Sequence, residues 1–527
     1  MFFPDKKIDQ KHTVDIPSIV LNGNRFHIDQ TPIELLAEFL MVINANKRIN
    51  DEIETDDLFP SEACMHDFYE MTYSIDHRLY FKLFSLWTTG KQTKGGESHA
   101  YEYEHIIKKL SSCFEDNTNP ERNLEILSNL YQGFQVAGAT RDWCARSFLP
   151  LSKNLITGET IWGASAAVKN KVGIDFEQAK RYFDHNKRVF YARGGEVLYL
   201  QLLLFFTKRK EEVVEWINNN PNFDGMKITD DECDPSYLKR IIREGFTKMY
   251  SNNSVPSGFD SFISFVEDVN GEKKEKFNYT ENQKVGFIPM ETWYLGFLFA
   301  LDLSRLFKSR FSSIELLKEL ELECSFHSFR TIIYQSASYL KRNYPLMAVV
   351  SDDCEDSLLK IVSRRSFENI QKCIKNAYET IARENEEYSS ILKPLLDDAK
   401  KSDNIHKENG YYLFRKHAKE IGFVIPRTGG NEHFVINKDI LVLLVSTTLV
   451  PGDSLTLESF LNDLKIRWSI VFDADGFSEV NYDSYIHQKI NDSEMLNWLT
   501  QMLDECGYYV PLSDSISLVK NTNIPQE

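Results

Sequence analysis

Between about Thr31 and Tyr344, apolar residues recur at three- and four-residue spacing, as in Ile33, Leu36, Phe39, Leu40 and Ile43, or Leu124, Leu127, Leu130 and Phe134. That period puts the apolar side chains on one face of a helix, so the pattern predicts a helical body. Thr31-Pro32 and Asn119-Pro120-Glu121 read as helix starts, each a capping side chain followed by a proline whose missing N–H is not needed in the first turn. From Ser351 to Leu396 the pattern returns as long charged helices, with Lys375, Glu379 and Arg383 spaced for contacts along one face. Gly90 to Ser98 and Ser251 to Lys284 lack sustained periodicity and read as loops or short strands, and Asp397 to Gly410 as a linker.

The last quarter changes character. A polar-basic helix, Tyr411 to Glu420, precedes two β-branched runs between Phe423 and Ile436 that are joined at Gly429-Gly430, which predicts a hairpin. A second unit runs from an apolar helix near Ile440 to Leu449, through a helix capped at Ser454 or Thr456, to a helix at Ser493 to Cys506 and a hairpin at Tyr508 to Val519. This is the order of a winged helix. The expected fold is therefore mainly α, a multi-helix body with C-terminal winged-helix-like units, divided into regions 1–250, 251–400 and 401–527. A length of 527 residues agrees with about three domains at roughly 150 residues each.

Charge narrows the function. A net charge of -17 excludes a protein whose whole surface coats DNA, since phosphate binding needs clustered Lys and Arg, although a local basic face remains open. The eight cysteines form no CxxC and fit reduced thiols in a cytosol. The first residues lack the basic-then-apolar order of a signal peptide, and the apolar runs Val197 to Phe206 and Trp293 to Leu301, the latter ended by Asp302, fall short of the ~20 residues of a membrane span. A cytoplasmic protein without membrane contact is expected.

No complete catalytic motif is present. Gly90-Lys91 is followed by Gln92 and is not a P-loop, and GxGxxG after a strand, GxSxG and HExxH are missing. Cys64 with His66 and Cys324 with His327 each offer two zinc ligands but no second local pair, so neither metal nor cofactor is expected. Three acidic runs, Asp230 to Asp234, Glu272 to Lys276 and Asp352 to Asp356, could serve a metal-dependent nuclease, but none lies on an evident strand pair. Asp473-Ala-Asp475-Gly476 lacks the remaining ligands of a calcium loop. Arg193-Gly194-Gly195-Glu196 is a possible anion site, because paired glycines expose backbone N–H groups beside Arg193; a tight turn between packed helices is the alternative.

The winged region discriminates further. In the second unit the helix in the recognition position carries Glu494, Asp504 and Glu505 and no Lys or Arg, so it should avoid phosphates; Met495, Leu496, Trp498, Leu499, Met502 and Leu503 could all be core. In the first unit Arg415, Lys416 and Lys419, with Arg427 at the hairpin tip, form a candidate nucleic-acid face, against a solvated basic face or a protein interface.

Four segments resemble a known group: Trp143-Cys144-Ala145, Arg193-Gly194-Gly195-Glu196, Phe423-Val-Ile-Pro-Arg427 and Leu444 to Pro451. They are similar to helical accessory proteins of bacterial antiphage and restriction operons, of the phosphorothioation-dependent type encoded beside a HerA-like ATPase. The resemblance implies a cytosolic protein working in a complex with an ATPase, a nuclease and DNA, and it brings no catalytic residue. The leading expectation is a non-catalytic scaffold that contacts DNA and partner proteins through its C-terminal units. The alternatives are a divergent metal-dependent nuclease, with Asp231, Glu232 and Glu275 as residues to test, and a ligand-sensing transcriptional regulator.

Overall fold

The computed structural model describes residues 194–251, 283–397, 399–407, 409–481, 492–513 and 516–524, most of 13–49, and short pieces elsewhere before residue 160. Within them the chain is mainly helical, with a few small sheets. Helix α1 (Pro32–Asn44) starts where the sequence places it. The Thr31 N–H donates to the Glu34 carboxylate at 3.0 Å, and Pro32 takes the first turn. Strands β1 (Asn46–Ile49), β2 (Ile53–Thr55), β3 (Met71–Ser74) and β4 (Gln283–Lys284) form an antiparallel sheet in the order β2-β1-β3-β4; the first three lie in a stretch expected to be helical, and β4 at the end of a segment expected to hold loops or short strands.

Helices α2 (Gly194–Phe206), α3 (Pro235–Ser251) and α4 (Trp293–Lys308) build the centre of the body. All of α2 is buried, as a helix apolar on every side must be. It packs between α1 and α4. Two glycines permit those approaches. A Cβ on Gly195 would lie 2.3 Å from the Phe39 nitrogen of α1, and one on Gly296 of α4 would lie 1.9 Å from the Gln201 carbonyl oxygen of α2. Alanine at either position must therefore push two helices apart. No helix among the described residues is long and apolar enough to cross a membrane.

Helix α5 (Ser313–Tyr339) is closed at its start by a reciprocal pair: the Ser312 N–H donates to Glu315, and the Glu315 N–H to the Ser312 hydroxyl. There follow β5 (Met347–Val350), α6 (Ser357–Glu384), α7 (Ala399–Lys407), α8 (Tyr411–Glu420), β6 (Val424–Ile425), β7 (His433–Val435), α9 (Lys438–Thr448), β8 (Ser454–Thr456), α10 (Leu457–Trp468), β9 (Ile470–Val471), α11 (Ala474–Asn481), α12 (Asp492–Glu505), β10 (Tyr509–Ser513) and β11 (Ile516–Lys520). Helices α8, α9, α10 and α12 and both hairpins lie where the sequence predicts them. The expected linker from Asp397 instead contains α7, and β5 occupies the gap between the two expected helical stretches, where no element was predicted.

That short strand organises the C-terminal half. Strand β5 pairs in parallel with β7 on one side and β9 on the other, and β6 extends the sheet antiparallel to β7, giving the order β6-β7-β5-β9. Side chains alternate as a strand requires. Ala348 and Val350, with Val435 and Val471, face Val362 of α6, Phe477 and Val480 of α11 and Met495 of α12. Met347, Val349, Phe434 and Ile470 join the main core. Burial on both faces is what parallel strands need. Two serines of α6 complete the ladder: the Phe434 N–H donates to Ser363 Oγ at 2.9 Å, and the Ala348 N–H to Ser366 Oγ at 3.1 Å.

A second small sheet is antiparallel, in the order β8-β11-β10, with Thr456 capping α10 through the Ser459 N–H. The core is continuous across residues 250 and 400. Phe39 meets Phe299 at 5.3 Å between ring centres, and Phe326 meets Phe423 at 4.8 Å and Trp468 at 5.8 Å.

Candidate functional site

The four basic residues of the first C-terminal unit are not equivalent. Arg415 donates to Glu432 through Nε at 2.8 Å and also through Nη2, and Lys419 Nζ reaches the same oxygen at 3.0 Å. Burial pushes the Glu432 carboxyl up, but hydrogen bonds from Arg415 and Lys419 outweigh it and leave it below its usual range. Lys416 donates to the Ile28 carbonyl and lies 3.6 Å from Glu420. Neighbouring His417 is neutral at pH 7, since burial pushes its pKa down to about 3. The helix is thus clamped to the hairpin and to the segment before α1. Arg427 alone stays exposed without a partner among the described residues, beside Gly429 and Gly430, which have nothing within 4 Å of an added Cβ.

In the second unit Met495, Leu499 and Leu503 of α12 are buried and Leu496, Trp498 and Met502 pack partly against the core, as the apolar spacing predicts. Trp498 rests near Phe472, 6.1 Å between ring centres. Glu505 pairs with Lys438 at 2.9 Å. Leu512, at the end of β10, is 59% exposed.

Gly194 and Gly195 begin α2, but their surroundings differ from an open anion site. The Gly195 N–H donates at 2.8 Å to Glu38 of α1, whose carboxylate also accepts from Gln30 at 2.8 Å. The positive end of α2 thus holds a carboxylate of the chain itself. A Cβ on Gly194 would come within 2.6 Å of Gln30 Oε1, so α1 closes the approach. Arg193, Cys64, His66, Trp143 and the run Glu272 to Lys276 lie outside the described residues.

The other acidic runs have structural partners. Asp356 caps α6 through the Leu358 N–H at 2.7 Å, Asp353 accepts from Ser351, and Asp473 accepts from the Gly476 N–H at 2.8 Å. Among the described residues the runs Asp230 to Asp234 and Asp352 to Asp356 do not lie on strands, but Asp352, and Asp473 of the Asp-Ala-Asp-Gly segment, come two residues after the carboxyl ends of β5 and β9, neighbouring parallel strands. Among the described residues no group of three or more His, Cys, Asp or Glu could hold a metal ion.

The strongest electrostatics lie in the interior, where Glu232 of the acidic run, His327 of the Cys-His pair and Asp302 meet arginines that no motif singled out. Glu232 makes a two-pronged pair with Arg305 of α4, at 2.8 and 2.9 Å, and Arg305 also donates to the carbonyls of Thr447 and Thr448. Burial raises the Glu232 carboxyl, but the Arg305 hydrogen bonds and charge prevail and hold it at about 2. Nearby, Asp302 of α4 accepts from Arg330 of α5 at 2.6 Å and from Arg467 of α10. The Arg330 guanidinium lies 4.2 Å from the Trp468 ring centre. Arg330 also donates to His327 Nδ1 at 2.9 Å, which assigns the proton of that neutral imidazole to Nε2, 2.8 Å from Gln201 Oε1. Burial, then the Arg330 charge, keeps His327 neutral. Glu323 lies 3.8 Å from Arg330, yet neither of its oxygens has a hydrogen-bond partner among the described residues. Burial first, then the Asp302 charge, pushes its carboxyl well above its usual range, favouring the neutral form.

One open cleft, of about 1070 Å³, lies at the amino ends of β5 and β9. Asn369, Lys372 and Asn376 on one face of α6 form a wall, Asn462 of α10 stands across from them, and Arg342, Asn343 and Tyr344 line the approach to β5. The helical spacing of Asn369, Lys372 and Asn376 was visible in the sequence, but nothing there connects them to residue 462.

No family model, curated protein or solved structure matches the chain.

Proposed function

We propose that the chain is a non-catalytic scaffold or adaptor subunit of a bacterial antiphage, restriction-type complex, and that its last quarter is a docking region of winged-helix type. The observation that carries this reading is the strand order β8-β11-β10 together with α9, α10 and α12. A helix, a strand, two helices and a hairpin follow one another, and the first strand pairs with the last, as in a winged helix; β9 and α11 are then an insertion before the third helix. Helix α12, in the recognition position, has no Lys or Arg, which favours a protein partner over phosphates. The first unit departs from the pattern, because β7 is tied to β5. In this reading DNA contact falls to Arg427 and the open hairpin tip, since Arg415, Lys416 and Lys419 have internal partners.

The test is to read the neighbouring genes and, where they encode an ATPase and a nuclease, to co-express the chain with them and read complex mass by light scattering. Association that is lost on Leu512→Asp, with the variant folded, supports docking through the second unit; failure to associate with either protein overturns the scaffold reading. A salt series with duplex DNA, comparing wild type with Arg427→Ala, tests the DNA contact. A steep loss of affinity with salt that the variant flattens supports it, and absence of binding removes DNA from the proposal.

A metal-dependent nuclease is the second reading, favoured by one observation: acidic runs leave the carboxyl ends of the neighbouring parallel strands β5 and β9. Magnesium-dependent cleavage of DNA by the purified chain, abolished by Asp352→Asn with Asp473→Asn, would establish it. Glu232 is a poor probe of that reading, because its pairing with Arg305 makes it part of the fold.

A further inference from the structure

We propose that the cleft at the amino ends of β5 and β9 binds a nucleotide ligand of dinucleotide size, with Arg342 and Lys372 on its phosphates and asparagine carboxamides on its base edges. The inference goes beyond the docking reading, and does not depend on it. Its first support is composition. Asn222, Asn343, Asn369, Asn376 and Asn462 converge on one cleft from four separate places in the chain, Asn369 and Asn376 sharing one face of α6. The side chains of Asn343, Asn369, Asn376 and Asn462 have no hydrogen-bond partner among the described residues, whereas Asn222 is turned to Asn220 at 3.3 Å. A carboxamide offers a donor and an acceptor side by side, the pattern that matches the edge of a base.

Charge is the second support. Arg342, Lys372 and Lys465 face Asp224 and Glu479, so the cleft carries an excess of positive charge in a chain whose net charge is -17. Lys465 is paired with Glu479. Arg342 and Lys372 are exposed and have no partner among the described residues, which leaves two cations for an anionic ligand. A neutral sugar would use the carboxamides and leave both cations idle. Tyr344 adds an aromatic surface on the same wall, held in place by Tyr334 stacked behind it at 3.9 Å and 4° between planes. Stacking of a base on such a ring is worth about 1–3 kcal/mol in single-strand-binding proteins. The volume of about 1070 Å³ is at the top of the range of roughly 300–1,000 Å³ usual for small-molecule sites, which favours two linked nucleotides over one.

The same chemistry could reach the cleft as a free dinucleotide or as the end of a longer single strand. Titration calorimetry of the full chain with the 5′-phosphorylated dinucleotides of A, G, C and U, and with a labelled single strand of about twelve nucleotides, separates the sources. Binding of a dinucleotide alone identifies a free ligand, and binding of both identifies a strand end; either supports the site. Arg342→Glu with Lys372→Glu should weaken binding by at least about tenfold, and Asn369→Ala with Asn376→Ala should lower discrimination among bases. All four positions are exposed, so both variants should melt like wild type. Absence of binding up to about 1 mM, or equal binding by the charge-reversed variant, overturns the proposal. Arg427→Ala should bind the dinucleotide as wild type does, which keeps this outcome distinct from any DNA contact at the hairpin.

Discussion

Two buried ionic sites lie side by side on α4, and they are built to different standards. At Glu232 and Arg305 every strong group is answered: two hydrogen bonds join the pair, and the remaining guanidinium donors reach the carbonyls of Thr447, Thr448 and Lys227. At Asp302 the balance is uneven. Two arginines share one carboxylate, while Nε and Nη1 of both Arg330 and Arg467, and both oxygens of Glu323, lack partners among the described residues. The first arrangement is a joint, fixing the turn at Asp231–Cys233 and the end of α9 to α4. The second keeps a spare acid. Burial first, and the Asp302 charge second, favour the neutral form of Glu323, so the site holds a second acid beside Asp302, whereas Glu232 has no substitute.

Substitution separates the two directly. Glu232→Gln leaves Arg305 buried without its counter-charge and should cost about 3–5 kcal/mol, measured by urea denaturation. Asp302→Asn removes the same kind of group, yet Glu323 can ionise in its place, and the expected loss is nearer 2 kcal/mol. Equal losses in the two variants would break the comparison.

Acidity sharpens it at a third carboxyl. Glu319, one turn before Glu323 on α5, is pushed up to about 8, by burial first and by Asp439 second. Its folded value lies above its ordinary 4.5, so the folded chain holds that proton more tightly. Its contribution is fully present below pH 4.5 and is lost as pH rises toward 8, by at most about 1.4 kcal/mol per pH unit. Glu319→Gln should remove that slope and raise stability at pH 8 by on the order of 1–2 kcal/mol, read from melts across the interval. Glu323→Gln should change least, by under about 1 kcal/mol at pH 7, because burial and the Asp302 charge already favour the neutral carboxyl that glutamine mimics. A larger loss there would mean that Glu323 is charged in the folded chain.

Much of this architecture was readable before folding was considered. The Thr31-Pro32 start of α1, the helices from Tyr411 onward and the two hairpins depend on residues adjacent in sequence, which is why periodicity and caps located them. Strand β5 escaped because four apolar residues between helical stretches carry no period of their own. Helix α7 read as a linker because its residues are mostly polar, with Ile405 its apolar anchor in the core. The ion sites were less legible still. Asp302 was visible only as an acid closing an apolar run, and its partners lie at positions 330 and 467. The basic residues of α8 were found, but their neutralisation was not, because Glu432 lies across the hairpin and Ile28 far earlier in the chain.

The place of β5 at the centre of its sheet also governs how this chain must be made. Val349 waits for Phe434, and Met347 for Ile470, before either edge is covered. At ~5–20 residues per second the ribosome needs on the order of ten seconds to deliver both partners. Until Phe434 is made a fully apolar strand has two bare edges, and until Ile470 is made it keeps one, the situation that invites pairing with another chain. Nascent chains stalled before residue 434 should therefore be the form most dependent on chaperones, and the one most prone to aggregate.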